Sequence, residues 1–497
     1  MTCTSTIHDK EGLPSELISE QGRLKVENTA ATSAFGELQV AQMSPVLQVT
    51  AQYGLRSDVV TANLGGSTSS VDSKFVASTG VGISNVSAIV SSKQATYRAG
   101  QGLLSRFTAL FTQGKINSTQ QAGFITSESS FAFGYNGDEF GLVHSRDGFL
   151  EHQDLKITTG ATVDESAIVV IDGNIYAVPL TAGTPEHNAY EVSESLKTQV
   201  LGYDFSSVGD GVEVLAQLPD FGAGAFSFTS NTAVGVFTEI ANGTIPSETW
   251  VKKADWNVNP DIDIDPTLGN VYQVQIQYLG FGGIKYYIEN QKTANFELVH
   301  VIRYANTETK PSVKNPIFRI GWAARNKGNN TDIVTQGASG AIFVEGKIVP
   351  DGDRFGVNHT QLNVGTALTS VLSIQNRLTY FLTANRAELL IKSIILSTDT
   401  TKTAEFVIII NPIVATGQAL EFISHGDTRL AETSTSSVDV SGTIVAAYNV
   451  KATSLVQIDI NSLSAGILPG DIVCVAAKVS SGSASEMSAS ITVQDDL

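Results

Sequence analysis

The sequence is poor in charge. Asp, Glu, Lys and Arg make up 16% of its 497 residues, against roughly a quarter in an ordinary soluble domain. Within that small set acids prevail, 49 against 31, for a net charge of −18. A chain so short of Lys and Arg is not built to neutralise phosphates, which argues against nucleic acid as a direct partner and against an anionic membrane surface. Cysteine is nearly absent: Cys3 and Cys474 alone support neither a disulfide framework nor a cysteine-rich zinc site. Long apolar runs are missing too. The longest, Ile472 to Ala477, falls far short of a membrane span, so no membrane insertion is expected. The first residues, MTCTSTIHDKEGLPSELISEQG, lack a basic stretch followed by an apolar core, so a soluble chain made in a cytoplasm is expected.

Catalytic signatures are also wanting. There is no glycine-rich phosphate loop ending in Lys-Ser/Thr, no His-Glu-x-x-His pair and no Gly-x-Ser-x-Gly elbow. The histidines His8, His144, His152, His187, His300, His359 and His425 stand singly, which reads as solvated or satisfied polar residues. No cofactor and no catalytic residue is expected.

What is present is β texture. Hydrophobic residues at 42% suffice for packed cores, and they fall in short β-branched and aromatic runs broken by Gly, Asn, Asp and Ser. Leu38 to Tyr53 reads as two strand pieces or an edge strand, because Pro45 interrupts it. Phe131–Tyr135 and Phe140–His144 flank Asn136-Gly137-Asp138, a hairpin signal because Asn and Gly tolerate positive φ. Ala167–Ile171 and Ile175–Pro179 flank Asp172-Gly173-Asn174, a second hairpin. The best helical stretch follows. Thr184 suits the N-cap and Pro185 the first helical position, Glu186 favours the positive helix end, and Ala189, Val192 and Leu196 give one apolar face. Asn270 to Tyr278 alternates apolar and polar, predicting one buried and one wet face. In the last segment, Val473–Val479 and Ile491–Val493 are placed to pair as a hairpin across Ser480-Ser-Gly-Ser.

The strands before residue 161 break off early, whereas those after 250 lack a sheet of their own. One sandwich split by an insertion accounts for both. The expected fold is all-β and multidomain: an N-terminal arm (1–33), a discontinuous β-sandwich (34–160 with 250–350), an inserted α+β module (161–249), and a second β-sandwich (361–497) after a Gly/Asp-rich link from Glu345 to Asn358.

Two sets of candidate ligand residues emerge. Asp261, Asp263 and Asp265 alternate along the chain, as carboxylates converging on a structural Ca2+ would. The EF-hand pattern fails, with Pro266 at the glycine site and Tyr272 where the bidentate Glu belongs, so a solvated acidic turn is the first reading and a calcium-steadied loop the second. The tryptophans Trp250, Trp256 and Trp322 lie around the expected sandwich. Aromatic faces stack on sugar rings while Asn and Asp bind hydroxyls, which makes Trp256, Tyr304, Asn306, Trp322 and Asn326 candidates for glycan contact. The first reading nonetheless places Trp256 and Trp322 in the core, and glycan contact is the second.

Phe131 to His144, Val271-Tyr-Gln-Val-Gln-Ile-Gln-Tyr-Leu-Gly-Phe-Gly-Gly-Ile-Lys-Tyr-Tyr-Ile-Glu-Asn290, Phe296–His300, Arg303–Asn306 and Pro311–Pro316 together resemble a group of virion structural proteins of tailed phages. These combine a lectin-like (concanavalin- or laminin-G-like, jelly-roll) sandwich with further β-modules. The resemblance runs from about Ala34 to Glu345, and more weakly after Gln361. It implies a non-enzymatic part of a particle, of tail, baseplate or fibre type, assembled in the host cytoplasm. Its partners would be other virion structural proteins, copies of itself in a trimer or ring, and a host-surface glycan. A head-surface decoration protein is one alternative. A glycan-binding or glycan-cleaving protein is another, with Glu139 and Glu289 the nearest carboxylates for cleavage.

Overall fold

The computed structural model describes residues 43–97, 100–126, 128–200, 202–217, 225–277, 279–346, 352–380, 383–399, 403–423, 430–451, 454–459 and 466–496. Cys3, His8, His425 and the N-terminal arm lie outside them. Among the described residues the fold is all-β with one α-helix, and its named strands pair antiparallel throughout.

The first module is a two-sheet sandwich. One sheet has nine strands, running in order Phe296–Ile302, Ile284–Glu289, Asn270–Ile276, Leu103–Phe111, Val334–Gly337, Lys74–Ser78 and Ser67–Val71, with Ser339–Glu345 and Met43–Thr50 alongside. The other has eight: Ser247–Lys252, Glu139–Arg146, Ser130–Asn136, Ser118–Ile125, Ile317–Asn326, Val86–Ser91 and Val59–Leu64, with Ala95–Thr96. Pro45 sits at a register break of Met43–Thr50, which pairs on one side only among the described residues, so the edge reading holds for that strand, and residues 38–42 lie outside the described residues.

Side-chain alternation explains the core. Phe318, Ile320 and Trp322 of one strand face Phe107, Tyr272, Val274 and Tyr286 of the opposing sheet in a single apolar cluster. The aromatic rings interlock: Phe133 lies 4.8 Å from Tyr272 and 5.4 Å from Tyr286, centroid to centroid. The wet face expected on Asn270–Ile276 is a different matter. Gln273 and Gln275 are buried as well, and Arg106 Nε donates to Gln273 Oε1 at 2.7 Å. Alternation on that strand separates an apolar interior from a polar one.

The hairpins form where turn chemistry places them. Asp172 and Gly173 both take positive φ (51° and 76°) between Ile171 and Asn174, as a type I′ turn requires. In the other hairpin Asn136 remains in the ladder opposite Glu139, and Gly137 alone of the two loop residues has positive φ, 64°.

The inserted module begins before residue 161. His152–Thr159 joins Tyr203–Val208, Gly211–Ala216 and Val234–Ala241 in a four-stranded sheet, beside a three-stranded one of Asn174–Leu180, Glu165–Ile171 and Ser227–Thr229. The helix Pro185–Gln199 packs on them. Thr184 Oγ1 accepts from His187 N at 3.1 Å, Pro185 opens the helix, and Ala189, Val192 and Leu196 are buried with Val178, Phe205 and Val214. The opposite side of the helix is also covered: Tyr190 packs with Val407, Ile409, Leu420, Phe422 and Cys474 of the last module.

That last module is a sandwich of two five-stranded sheets. It starts earlier than expected, because Arg354–Val364 is a strand rather than a link. Ile472–Val479 and Ser485–Asp496 do not form a hairpin. The first pairs with Thr369–Asn376 and Ala404–Val414, the second with Arg354–Val364 and Glu388–Thr398, so the chain arches from one sheet to the other. Apolar alternation is identical in a hairpin and an arch, and only the partner strands decide between them.

Candidate functional site

The structure puts most of the aromatic glycan candidates inside. Trp322 is fully buried, its Nε1 donating to Thr108 O at 2.9 Å and its ring 5.2 Å from Phe75. Gly337 lies against the indole because a Cβ there would come within 2.0 Å of Nε1. Trp256 is buried near Phe133 and Phe140, with Nε1 donating to Val251 O at 3.2 Å. Asn326 is buried and donates to Gly82 O at 2.9 Å, so it fastens a loop. Asn306 is exposed in a turn at φ 61°. None of these side chains converges with another on a groove, and the core reading of Trp256 and Trp322 is the one the burial supports.

Tyr304 pairs with His144 instead. Tyr304 Oη lies 2.9 Å from His144 Nδ1, and His144 Nε2 lies 2.9 Å from Ser312 O. Nε2 must carry the hydrogen that reaches the carbonyl, leaving Nδ1 to accept from the tyrosine. Phe131 stacks on the ring at 4.8 Å. Burial holds His144 down to about 4, with Arg146 adding to the shift and the Ser312 bond opposing it. The folded state keeps the imidazole neutral while the unfolded chain protonates it below about 6.5. Stability therefore falls as pH drops from 6.5 towards 4, by on the order of 3 kcal/mol from this group. Urea midpoints at pH 7.5 and pH 4.5 should differ accordingly, and His144→Gln should shrink the difference. An equal difference in the variant would contradict the assignment.

The acidic run is split by its own geometry. Ile262 is buried between Asp261 and Asp263, Asp263 Oδ2 accepts from Gln291, and Asp265 Oδ1 accepts from Thr267 N at 2.9 Å and Oγ1 at 2.7 Å. Among the described residues no three His, Cys, Asp or Glu side chains gather as metal ligands would. Glu139 and Glu289 sit on different sheets, the former 3.5 Å from Lys252.

Where polar chemistry does gather is at the junction of the three modules. A half-open cavity of about 540 Å³ is lined by Arg319 of the first sandwich, Asp204, Gln217 and Lys197 of the insertion, and Asn411 and Asp471 of the last module. A smaller, more apolar chamber of about 200 Å³ adjoins it and shares Val60, Asp204, Gln217, Arg319, Leu378 and Pro469. Strand alternation delivers Arg319 and Asp204. Arg319 lies between Phe318 and Ile320, which face the core, so its side chain leaves the sandwich on the far side. Asp204 lies likewise between buried Tyr203 and Phe205.

Asp204 is reached by solvent yet enclosed by protein, and this desolvation raises its carboxyl, with Gln217 opposing through a 2.9 Å bond to Oδ1. Asp471 is also raised by desolvation, and Asn411 Nδ2 donates to its Oδ1 at 2.8 Å. Asn411 takes φ 49° at a bulge of Ala404–Val414 and accepts from Ile472 N at 2.8 Å. Desolvation lowers Arg319 to about 10, with Arg386 adding to the shift and Asp204 opposing it.

The junction is held by polar clamps. Glu213 of the insertion accepts from Arg377 Nη2 at 3.1 Å, Thr379 Oγ1 at 2.6 Å and Leu378 N at 3.2 Å, and Arg377 Nη1 lies 3.7 Å from the fully buried Glu432. Arg386 Nη2 reaches Glu128 of the first sandwich at 2.6 Å, and Gln375 Nε2 donates to Ser206 Oγ. Leu150, Leu215 and Leu378 close an apolar contact between the three modules.

No known protein family matches this chain, and no curated protein sequence does. Among solved structures it is similar to the catalytic domain of an endo-1,3-beta-glucanase (laminarinase) from Thermotoga petrophila RKU-1, at 8% identity over 61% of this chain and 98% of that chain, TM-score 0.28. It is also similar to the CBM2 module of the evolved Dit of Lactobacillus casei BL23 phage J-1, at 5% identity over 62% and 99%, TM-score 0.27. The lectin UEA-II complexed with galactose gives 9% identity over 61% and 100%, TM-score 0.23. At these identities the likeness is one of fold alone.

Proposed function

We propose that this chain is a non-enzymatic structural component of a tailed-phage particle, of tail, baseplate or fibre type, serving assembly and host-surface attachment. The observation that carries the assembly half is a sheet edge that no other strand pairs among the described residues. Val440–Val450 is an eleven-residue strand at the margin of its sheet, and Ile444 and Val445 on it are 49% and 44% exposed, beside Ile413 at 66%. A long apolar edge invites strand pairing and is a hazard to a free-standing chain. Burying it against other virion proteins, or against copies of itself in a trimer or ring, removes the hazard. The clamped modules suit a part that transmits position rather than one that opens and closes, and the net charge of −18 keeps crowded copies apart.

Antibody labelling of purified particles in negative stain is expected to mark the tail or its tip. Label on the head surface would make the chain a decoration protein, and unlabelled particles would end the proposal. One observation favours a second reading, glycan cleavage: Asp204 and Asp471 line one cavity and both are raised. Two such carboxyls can divide general acid and base work. Reducing-end release from a polysaccharide, lost in Asp204→Asn, would decide for it.

A further inference from the structure

The cavity between the modules has the composition of a ligand site, and its charges narrow the ligand. Lys197 is engaged by Glu194 at 2.5 Å and Arg386 by Glu128 at 2.6 Å. Arg319 faces the cavity with no hydrogen-bond or ion-pair partner among the described residues. Opposite it stand Asp204 and Asp471, each with Oδ1 already bonded to a neighbouring amide. An anion placed here would meet two carboxylates, and a cation would meet Arg319. A neutral polyhydroxylated ring meets neither penalty. Its vicinal hydroxyls can accept from the planar guanidinium fork and donate to the carboxylates.

We propose that this cavity binds one neutral sugar residue of a surface glycan, with Arg319, Asp204 and Asp471 holding its hydroxyls. The inference rests on the attachment reading and gives it a site. About 540 Å³ lies within the usual range for small-molecule sites. The adjoining chamber, lined by Val60, Ala62, Ala88, Ile125, Leu150 and Leu378, offers an apolar wall for the C–H face of the ring or an acetamido methyl group. The site is pre-formed, because the clamps at Arg377 and Arg386 fix the walls before any ligand arrives, and binding then spends little on ordering side chains. All three modules contribute, so no one of them carries the site alone.

The full chain is titrated with glucose, galactose, mannose, N-acetylglucosamine and N-acetylgalactosamine, and with glucuronate and glucosamine as charged counterparts. Binding is read by saturation-transfer NMR and calorimetry. At least one neutral sugar is expected to bind, about tenfold more weakly or worse in both Arg319→Met and Asp204→Asn, and unchanged in Asn306→Ala on an exposed turn that does not line the cavity. Should either cavity variant fail to fold, the wild-type chain still decides. Phenylglyoxal modification of Arg319, mapped by mass spectrometry, is expected to slow when the bound sugar is present. The proposal is overturned if no neutral sugar binds, if binding survives both substitutions, if glucuronate or glucosamine binds more tightly than every neutral sugar, or if sugar leaves Arg319 modification unchanged. Particle labelling does not bear on these readouts, so a sugar-binding chain absent from virions would sink the particle role and leave the site standing.

Discussion

Replacing Arg377 by methionine is expected to destabilise the chain by about 3–5 kcal/mol, because it takes a cation away from two carboxylates that the junction has taken out of water. Glu213 and Glu432 have side chains only 7% and 0% exposed, and Arg377 itself is at 11%. Thr379 Oγ1 and Leu378 N would still donate to Glu213, but neither supplies a positive charge. The triad is not a source of stability in itself, since desolvating three charges costs about what their attraction returns. A triple variant, Arg377→Met with Glu213→Gln and Glu432→Gln, should therefore recover much of the loss. Urea unfolding followed by circular dichroism, with hydrogen exchange over Gly211–Ala216 and Ala431–Ser434, reports both effects. If Arg377→Met unfolds at the wild-type midpoint, the junction is not clamped as described and the pre-formed cavity loses its support.

Local features of this fold were legible in the residues, and contacts between distant ones were not. Asp172-Gly173 and Thr184-Pro185 act within a few positions of themselves. Turn and cap chemistry fixed their outcome whatever the rest of the molecule did. Strand alternation was equally plain in Asn270–Ile276. Yet a polar residue on the far side of a strand writes the same pattern whether it meets water, as expected for Gln273 and Gln275, or is buried among neighbouring side chains such as Arg106, as found. Tyr190 on the second face of the helix and the arch after Val479 depend in the same way on partners far along the chain.

The candidate site shows this most sharply. Asp204 is the single charge on Tyr203–Val208, and Arg319 shares Ile317–Asn326 with one other charge, Arg325, which is the one signal the sequence held. Nothing local marks them as neighbours across two modules. The tryptophans drew notice because aromatic residues serve both sugar stacking and core filling, and sequence cannot tell those duties apart. In this chain Arg319 and Asp204 reach the cavity from the outward positions of core strands.

Trp322 is where those two duties give opposite results. As a stacking platform it would tolerate Trp322→Ala with the fold intact and sugar binding lost. As the buried side chain seen here, it should lose about 3–5 kcal/mol on that change, from the emptied volume between Phe75 and Gly337. Trp322→Phe separates the contributions. It refills part of the space but leaves Thr108 O without its indole donor, now 2.9 Å away, and so should cost about 1–3 kcal/mol. The order alanine worse than phenylalanine, phenylalanine worse than wild type, is the expected result in urea or thermal unfolding. Hydrogen exchange should rise first in Ile317–Asn326 and in its ladder partners Ser118–Ile125 and Val86–Ser91. A Trp322→Ala chain that melts with the wild type would mean the indole is not part of the packed interior. The outward course of Arg319, three residues earlier on the same strand, would then lose its structural basis as well.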